Sequence, residues 1–545
     1  MRYLILLIFS LLLTVPGIST FPPLDRDESR YVQASKQMVE SGDYIDIRFQ
    51  EDTRYKKPIG IYWLQSAAVE LSGQGADAPI WIYRLVSVLG VALAVLAICW
   101  TGSRLFGPNA GFIAGLVLVG LFSTAFEGRI AKTDAMVLGV SVLAQGALAQ
   151  IYVASRRNEP IAGHLPWLFW IAQGFGILIK GPITPMVSAL TIIALVAVDR
   201  DWRWLARLKA GRGILLAAII VLPWLVLISW KSGGAFWQES VGKDLLGKIG
   251  QAQESHGAPP GYYMLTYSLY FWPFGLVAIG AGLRALNSAR LDPRLLFCLA
   301  WYIPLWLVFE LITTKLPHYV IPAYPGLVLL IGWAITLAPE AADASLKTWQ
   351  KWLYYLTAFG LIVVTLGLAG LAIAAPIMLE GRISPWGIIA AAFILLAGFL
   401  AFPRQFKLST RRIALATASA GVAYALMFAA VLPSLTSVWL SPRIAAAVEE
   451  HRLCPTSTLA SVRFHEPSLV FLTDTRTLLT GTDGAVRHLL HDPACAMALI
   501  PAQNDAAFRS ALQSEGKTPQ ALKEIDGINY SSGDQIALVL YRIAP

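Results

Sequence analysis

The chain has 545 residues, 56% hydrophobic and 14% charged, with a mean hydropathy of +0.58. Soluble domains carry about 25% charged residues, so this composition excludes an ordinary soluble globular protein and leaves an integral membrane protein. The net charge of +9 reads as a topology signal and not as a nucleic-acid surface, because no basic stripe with interleaved aromatics accompanies it.

A membrane span takes roughly 20 mostly apolar residues. Candidates fall at 2–19, 80–101, 109–125, 134–154, 164–179, 183–198, 213–231, 262–284, 294–313, 318–338, 352–377, 384–402 and 412–433, about 13 in all. Alternate short loops hold Arg156 and Arg157; Arg200, Arg203, Arg207, Lys209 and Arg212; Arg284, Arg290 and Arg294; Lys347 and Lys351; and Arg404, Lys407, Arg411 and Arg412. The positive-inside rule makes those loops and the N-terminus cytoplasmic. Segment 20–79 and the tail from 434 then lie outside, which in a bacterium is the periplasm.

Along the chain, the first span has features of a signal peptide: Arg2 precedes an apolar run from Leu4 to Val15, and Gly17 and Ser19 follow. Against cleavage, Pro22-Pro23-Leu24-Asp25 offers no A-x-A site. The first outer segment, 20–79, carries helical patterns from Glu28 to Ser41 and from Pro58 to Leu71, expected to lie in the membrane interface. Residues 164–199 form one apolar stretch, about 54 Å as a straight helix against a hydrocarbon core of about 30 Å. It must turn back, and Lys180-Gly181-Pro182 is where glycine and proline break a helix.

The tail, 434–545, has short apolar runs at 458–462, 496–500 and 535–541 separated by polar helical stretches, the pattern of a small α/β domain. The resulting division is a membrane domain over 1–433 and an outer domain over 434–545. Cys99 and Cys298 fall inside spans and suit core packing; Cys454 and Cys495 share the outer tail, where a disulfide and two free thiols are both open.

Four polar strings sit at outer helix mouths: Asp27-Glu28-Ser29-Arg30-Tyr31, Arg54-Tyr55-Lys56-Lys57-Pro58, Ile179-Lys180-Gly181-Pro182 and Thr314-Lys315-Leu316-Pro317-His318-Tyr319. Three proline-flanked lysines, Lys57, Lys180 and Lys315, at one surface suit a shared anionic ligand, and lipid phosphates lie at that depth. Snorkelling would account for each lysine singly, surface ion pairs for Asp27 and Glu28, and a helix N-terminal charge for Asp134. Of the tyrosines only Tyr31, Tyr55 and Tyr319 stand inside these strings; the others suit an interfacial belt. His256 and His318 with nearby acids make a divalent metal a secondary alternative, without any recognised ligand spacing.

In this order and on this face, the strings resemble the polyprenyl-phosphate-sugar glycosyltransferases of the GT-C class, in the superfamily of the lipid A aminoarabinose transferases and protein O-mannosyltransferases. The former branch is the closer, through Asp-Glu-x-Arg-Tyr, Lys-Pro before an amphipathic helix, Lys-Gly-Pro, Lys-Leu-Pro-x-Tyr-x-x-Pro and the tail string His465-Glu466-Pro467-Ser468-Leu469-Val470-Phe471. Where the family often has Glu-Lys-Pro-Pro this chain has Lys56-Lys57-Pro58-Ile59, so any role of that glutamate does not carry over.

The resemblance implies an all-α polytopic GT-C-like fold with periplasmic interfacial helices and a small C-terminal α/β domain, in the bacterial inner membrane. It implies an inverting transferase with a polyprenyl-phosphate-linked sugar as donor and a lipid or glycolipid as acceptor, working as a monomer without a required cofactor. Asp27 and Asp134 become the catalytic acids. Lys57, Lys180 and Tyr319 become contacts to the lipid phosphate, with Arg54, Tyr55, Lys315, His318, Glu28, Arg30 and Tyr31 around the substrate. Two other readings remain: protein O-glycosylation from the same donor, and a transporter or flippase. Transport fits less well, because ionisable groups such as Arg84 and Glu310 lie near span edges and not at the midplane.

Overall fold

The computed structural model describes residues 1–247, 257–337, 347–403 and 408–544. His256, Arg404 and Lys407 lie outside the described residues. Seven described helices are long and apolar enough to cross a membrane, and an eighth forms if Tyr262–Tyr270 and Gly275–Ser288, bent by 118°, count as one. The bend falls at Pro273, which lacks the N–H that would continue the helix. Five shorter apolar helices, Arg2–Thr14 (α1), Pro108–Gly120 (α5), Leu165–Lys180 (α8), Ile183–Asp199 (α9) and Pro385–Ala401, occupy the remaining expected spans.

Two helices form the centre: Ile80–Phe106 (α4) and Asp134–Arg156 (α7), whose apolar windows are 78% and 89% buried, whereas Ala210–Lys231 (α10) and Thr348–Glu380 are 28% buried and present apolar side chains outward. Leu, Val and Ala on α4, α5 and α7 make the main core. Outward leucine, isoleucine and phenylalanine are expected where lipid replaces water.

The hairpin expected at Lys180-Gly181-Pro182 is present. Gly181 ends α8 with φ +63, a backbone region that costs other residues, and its N–H bonds to Ile177 O at 2.9 Å. Because α7 leaves the surface at Asp134 and α8 returns to it at Lys180, the two side chains finish side by side.

The first outer segment holds helices Asp27–Ser41 (α2) and Gly60–Ser72 (α3), joined by a small hairpin of Arg48–Phe49 (β1) and Asp52–Thr53 (β2). α2 is buried on several sides, Ser35 donating to Gln65 of α3 (2.7 Å) and Gln33 to Thr475 of the tail (2.7 Å). Its polar side chains therefore find protein partners.

The tail forms a five-stranded sheet in the order β4-β3-β5-β7-β6, with β3 Leu459–Val462, β4 Leu478–Thr480, β5 Met497–Pro501, β6 Pro519–Asn529 and β7 Asp534–Ile543. β3 pairs in parallel with β4 and β5; β7 is antiparallel to β5 and β6. The three apolar runs are β3, β5 and β7; β4 and the polar β6 are edge strands whose weaker apolar pattern hid them. Cys454 and Cys495 form a disulfide across a sequence separation of 41, tying the segments that lead into β3 and β5. The domain docks on the first outer segment: Arg26 donates to Ser531 O (3.0 Å), the Asp25 N–H to the Tyr530 hydroxyl (2.6 Å), and Gln50 to Thr475 O (2.9 Å).

Candidate active site

Asp134 is the hub. It opens α7, where a carboxylate also suits the helix dipole, and its Oδ1 accepts from Lys180 Nζ at 2.5 Å. His318 Nε2 lies 3.9 Å from the same oxygen. The Lys180 ammonium stands over the Tyr319 ring, 5.7 Å from its centroid, and His318 meets that ring edge-on at 5.0 Å. Residues 134, 180, 318 and 319, from three separate elements, thus share one point at the mouth of the bundle.

Asp27, the first residue of α2, is exposed at this mouth and acts electrostatically on Lys132 and Tyr31. Tyr31 is buried between Arg54, whose guanidinium lies 5.4 Å from its ring, and Tyr62 at 5.6 Å. Burial, then Tyr62 and Asp27, holds its hydroxyl well above the ordinary range, so it stays a neutral donor. A close approach brings the second string in: a Cβ on Gly60 would lie 2.7 Å from Leu178 O, so α3 abuts the last turn of α8, with Lys57 just before α3 and Lys180 just after Leu178. Lys57 itself donates to Lys56 O at 2.9 Å.

Several of the other expected residues are engaged by protein groups. Glu28 has a fully buried carboxylate that takes two Arg84 bonds at 2.8 Å each and the N–H groups of Leu24 (2.9 Å) and Ala131 (2.7 Å). Tyr55 donates to Asp46 (2.7 Å), and Lys315, 3% exposed, donates to Ala258 O (2.8 Å) and Ile312 O (2.6 Å). Arg30, on α2, is half-buried. Among the described residues no three His, Cys, Asp or Glu side chains converge as a metal site would require.

One buried acid that the strings do not contain acts on this cluster. Glu127, 3% exposed, ends the short helix Phe122–Glu127 (α6), and its Oε2 lies 3.4 Å from Lys132 Nζ. Burial pushes its carboxyl up to about 7 against the pull of Lys132. Burial alone would lower the Lys132 ammonium, but Glu127, Asp134 and Asp27 outweigh it and hold it above its usual range. The sequence signal was Glu127 and Lys132 flanking Gly128-Arg129 immediately before Asp134, within a long apolar region.

Residues 1–237 match the dolichyl-phosphate-mannose-protein mannosyltransferase family. An undecaprenyl phosphate-alpha-4-amino-4-deoxy-L-arabinose arabinosyl transferase from Aeromonas salmonicida is 28% identical over 398 residues, 72% of this chain and 70% of that protein. One from Aeromonas hydrophila is also 28% identical, over 69% of this chain and 68% of that protein. In structure, ArnT from Cupriavidus metallidurans bound to undecaprenyl phosphate aligns with a TM-score of 0.74 at 18% identity, over 98% of this chain and 97% of that one. The chain has the fold and the sequence of a lipid-phosphate-sugar glycosyltransferase. The Archaeoglobus fulgidus oligosaccharyltransferase is a more distant likeness, with a TM-score of 0.51 at 12% identity over 92% of this glycosyltransferase and 69% of that chain.

Proposed function

We propose that this glycosyltransferase moves an amino sugar of the aminoarabinose type from undecaprenyl phosphate to lipid A or to lipopolysaccharide core, at the periplasmic face of a bacterial inner membrane. The observation that carries the reading is the Asp134–Lys180 pair over Tyr319 at a helix mouth, in a chain similar over most of its length to the aminoarabinose transferases.

The acceptor oxygen attacks the anomeric carbon with inversion, and the bond from that carbon to the phosphate oxygen breaks, its electron pair leaving on the polyprenyl phosphate. A lysine ammonium has three N–H donors; Asp134 uses one from Lys180, so the others are directed to the leaving phosphate, with Lys57 as the second cation. Asp134 holds Lys180 in place and stabilises positive character at the sugar. Asp27 positions the acceptor, and deprotonates it where it is a hydroxyl. A phosphate acceptor is already nucleophilic and asks for no base, and the step calls on no cofactor.

The family matched by residues 1–237 favours one second reading, transfer from the same donor to a protein hydroxyl. Mass spectrometry of lipid A, core and glycoproteins from cells with and without the gene decides. The first reading expects a gene-dependent mass increase of one aminopentose on lipid A or core; an increase confined to proteins would replace it with the second.

A further inference from the structure

Glu127 is in an unusual state for a buried carboxylate. It is 3% exposed, and neither of its oxygens has a hydrogen bond among the described residues. Its ion pair with Lys132 runs through Oε2 at 3.4 Å, and Oε1 has no such partner among the described residues. Glu28, equally buried, takes four hydrogen bonds. Burying a carboxylate without such bonds is expensive, and a buried polar atom left open calls for a partner.

The place of Glu127 identifies that partner. The carboxylate lies in the field of Lys132, Asp134 and Lys180, the cluster assigned above to the departing phosphate, and acts on Tyr270. Lys180 is already engaged by Asp134, so what Glu127 lacks is a second cationic donor on the side of Oε1. A sugar hydroxyl offers one neutral hydrogen bond; a protonated sugar amine offers a charge and up to three donors in the same space.

We propose that Glu127 determines donor specificity, its open carboxylate oxygen accepting the protonated amine of the sugar carried on the lipid phosphate. This rests on the function proposed above and adds the group that selects the sugar. N-Acylation removes the positive charge and leaves Oε1 of Glu127 without a cationic donor, and a buried polar group left without its partner is the condition under which binding sites discriminate strongly.

The test is a competition between undecaprenyl phosphate-aminoarabinose and its N-acetylated form, using purified full-length protein in detergent with lipid A as acceptor. The wild type is expected to favour the free amine about 100-fold in kcat/KM, as for an interface in which one partner of a buried charge pair is removed. Glu127→Gln is expected to bring that ratio to within a few-fold of one, mainly through KM for the amine donor, while Glu127→Asp retains a clear preference. Binding of undecaprenyl phosphate alone to Glu127→Gln reports whether the fold and the phosphate site are intact. A wild type that uses both donors equally, or a Glu127→Gln protein whose ratio is unchanged while both rates fall, overturns the assignment and leaves the glycosyltransferase reading standing. Transfer of neither donor by the wild type overturns the proposed function and the inference with it.

Discussion

At the scale of single residues, Lys180 and Asp27 differ in what surrounds them, and their variants should differ accordingly. Lys180 is bonded to Asp134 at 2.5 Å, so Lys180→Ala removes a donor to the departing phosphate and leaves Asp134 without its partner. Loss of one such group typically costs about 10²–10³ in kcat. Lys180→Ala is therefore expected to insert and to bind acceptor, with transfer reduced by at least that factor. Asp27 is exposed, so Asp27→Ala should change thermal stability by no more than about 0.5 kcal/mol while suppressing transfer, less severely on a phosphate acceptor than on a hydroxyl. Lys57→Ala belongs to the same set, and wild-type rates in any two of the three, by radiolabelled sugar transfer, would sink the assignment of the site.

At the scale of elements, the question is what holds α2 and the mouth of α7 in place. Arg84, on α4, binds Glu28 and also donates to Ile18 O and Phe21 O; Arg129 donates to Pro16 O (2.9 Å) and Ala125 O (2.7 Å). These buried guanidiniums fasten the end of α1 and the start of α2 beside the site. Removing one partner of a fully buried pair typically costs about 3–5 kcal/mol, whereas replacing both with apolar groups is often nearly neutral. Glu28→Ala should accordingly lower the unfolding temperature markedly, and Glu28→Met combined with Arg84→Met should recover only part of it, because the backbone groups of Ile18, Phe21, Leu24 and Ala131 lose their partners in the double variant. A stable Glu28→Ala protein that has lost transfer would instead move Glu28 back among the substrate contacts.

At the scale of the whole molecule, the tail domain sits on the first outer segment through Asp25. That carboxylate accepts from the Ser468 N–H at 3.2 Å, with Tyr530 and Glu466 facing it. Burial, aided by Glu466 and opposed by the Ser468 and Tyr530 bonds, raises it from 3.8 to about 6. A carboxyl raised on folding favours the folded state while protonated. Its stabilising contribution is complete below about 3.8 and is lost as pH rises through about 6. The unfolding temperature in detergent should fall between pH 5 and pH 7, and Asp25→Asn should flatten that part of the profile; an unchanged slope would remove Asp25 from the docking account.

The periodicity and breaks of the chain were enough to place the apolar helices, the hairpin at Gly181 and the strings at the helix mouths, because a bilayer imposes length and polarity on each segment independently. Lys180, His318 and Tyr319 could be nominated from those strings, and Asp134 from its place at the mouth of a span, one at a time. What the sequence alone could not decide was the pairing. Glu28 and Lys315 carry the same charges as Asp134 and Lys180, yet Glu28 is taken up by Arg84, Lys315 by backbone carbonyls, and Glu127 is left with open oxygens. Such assignments depend on which buried groups meet across residues far apart in the chain, and only the packing of α2, α4, α7 and α8 against one another determines that.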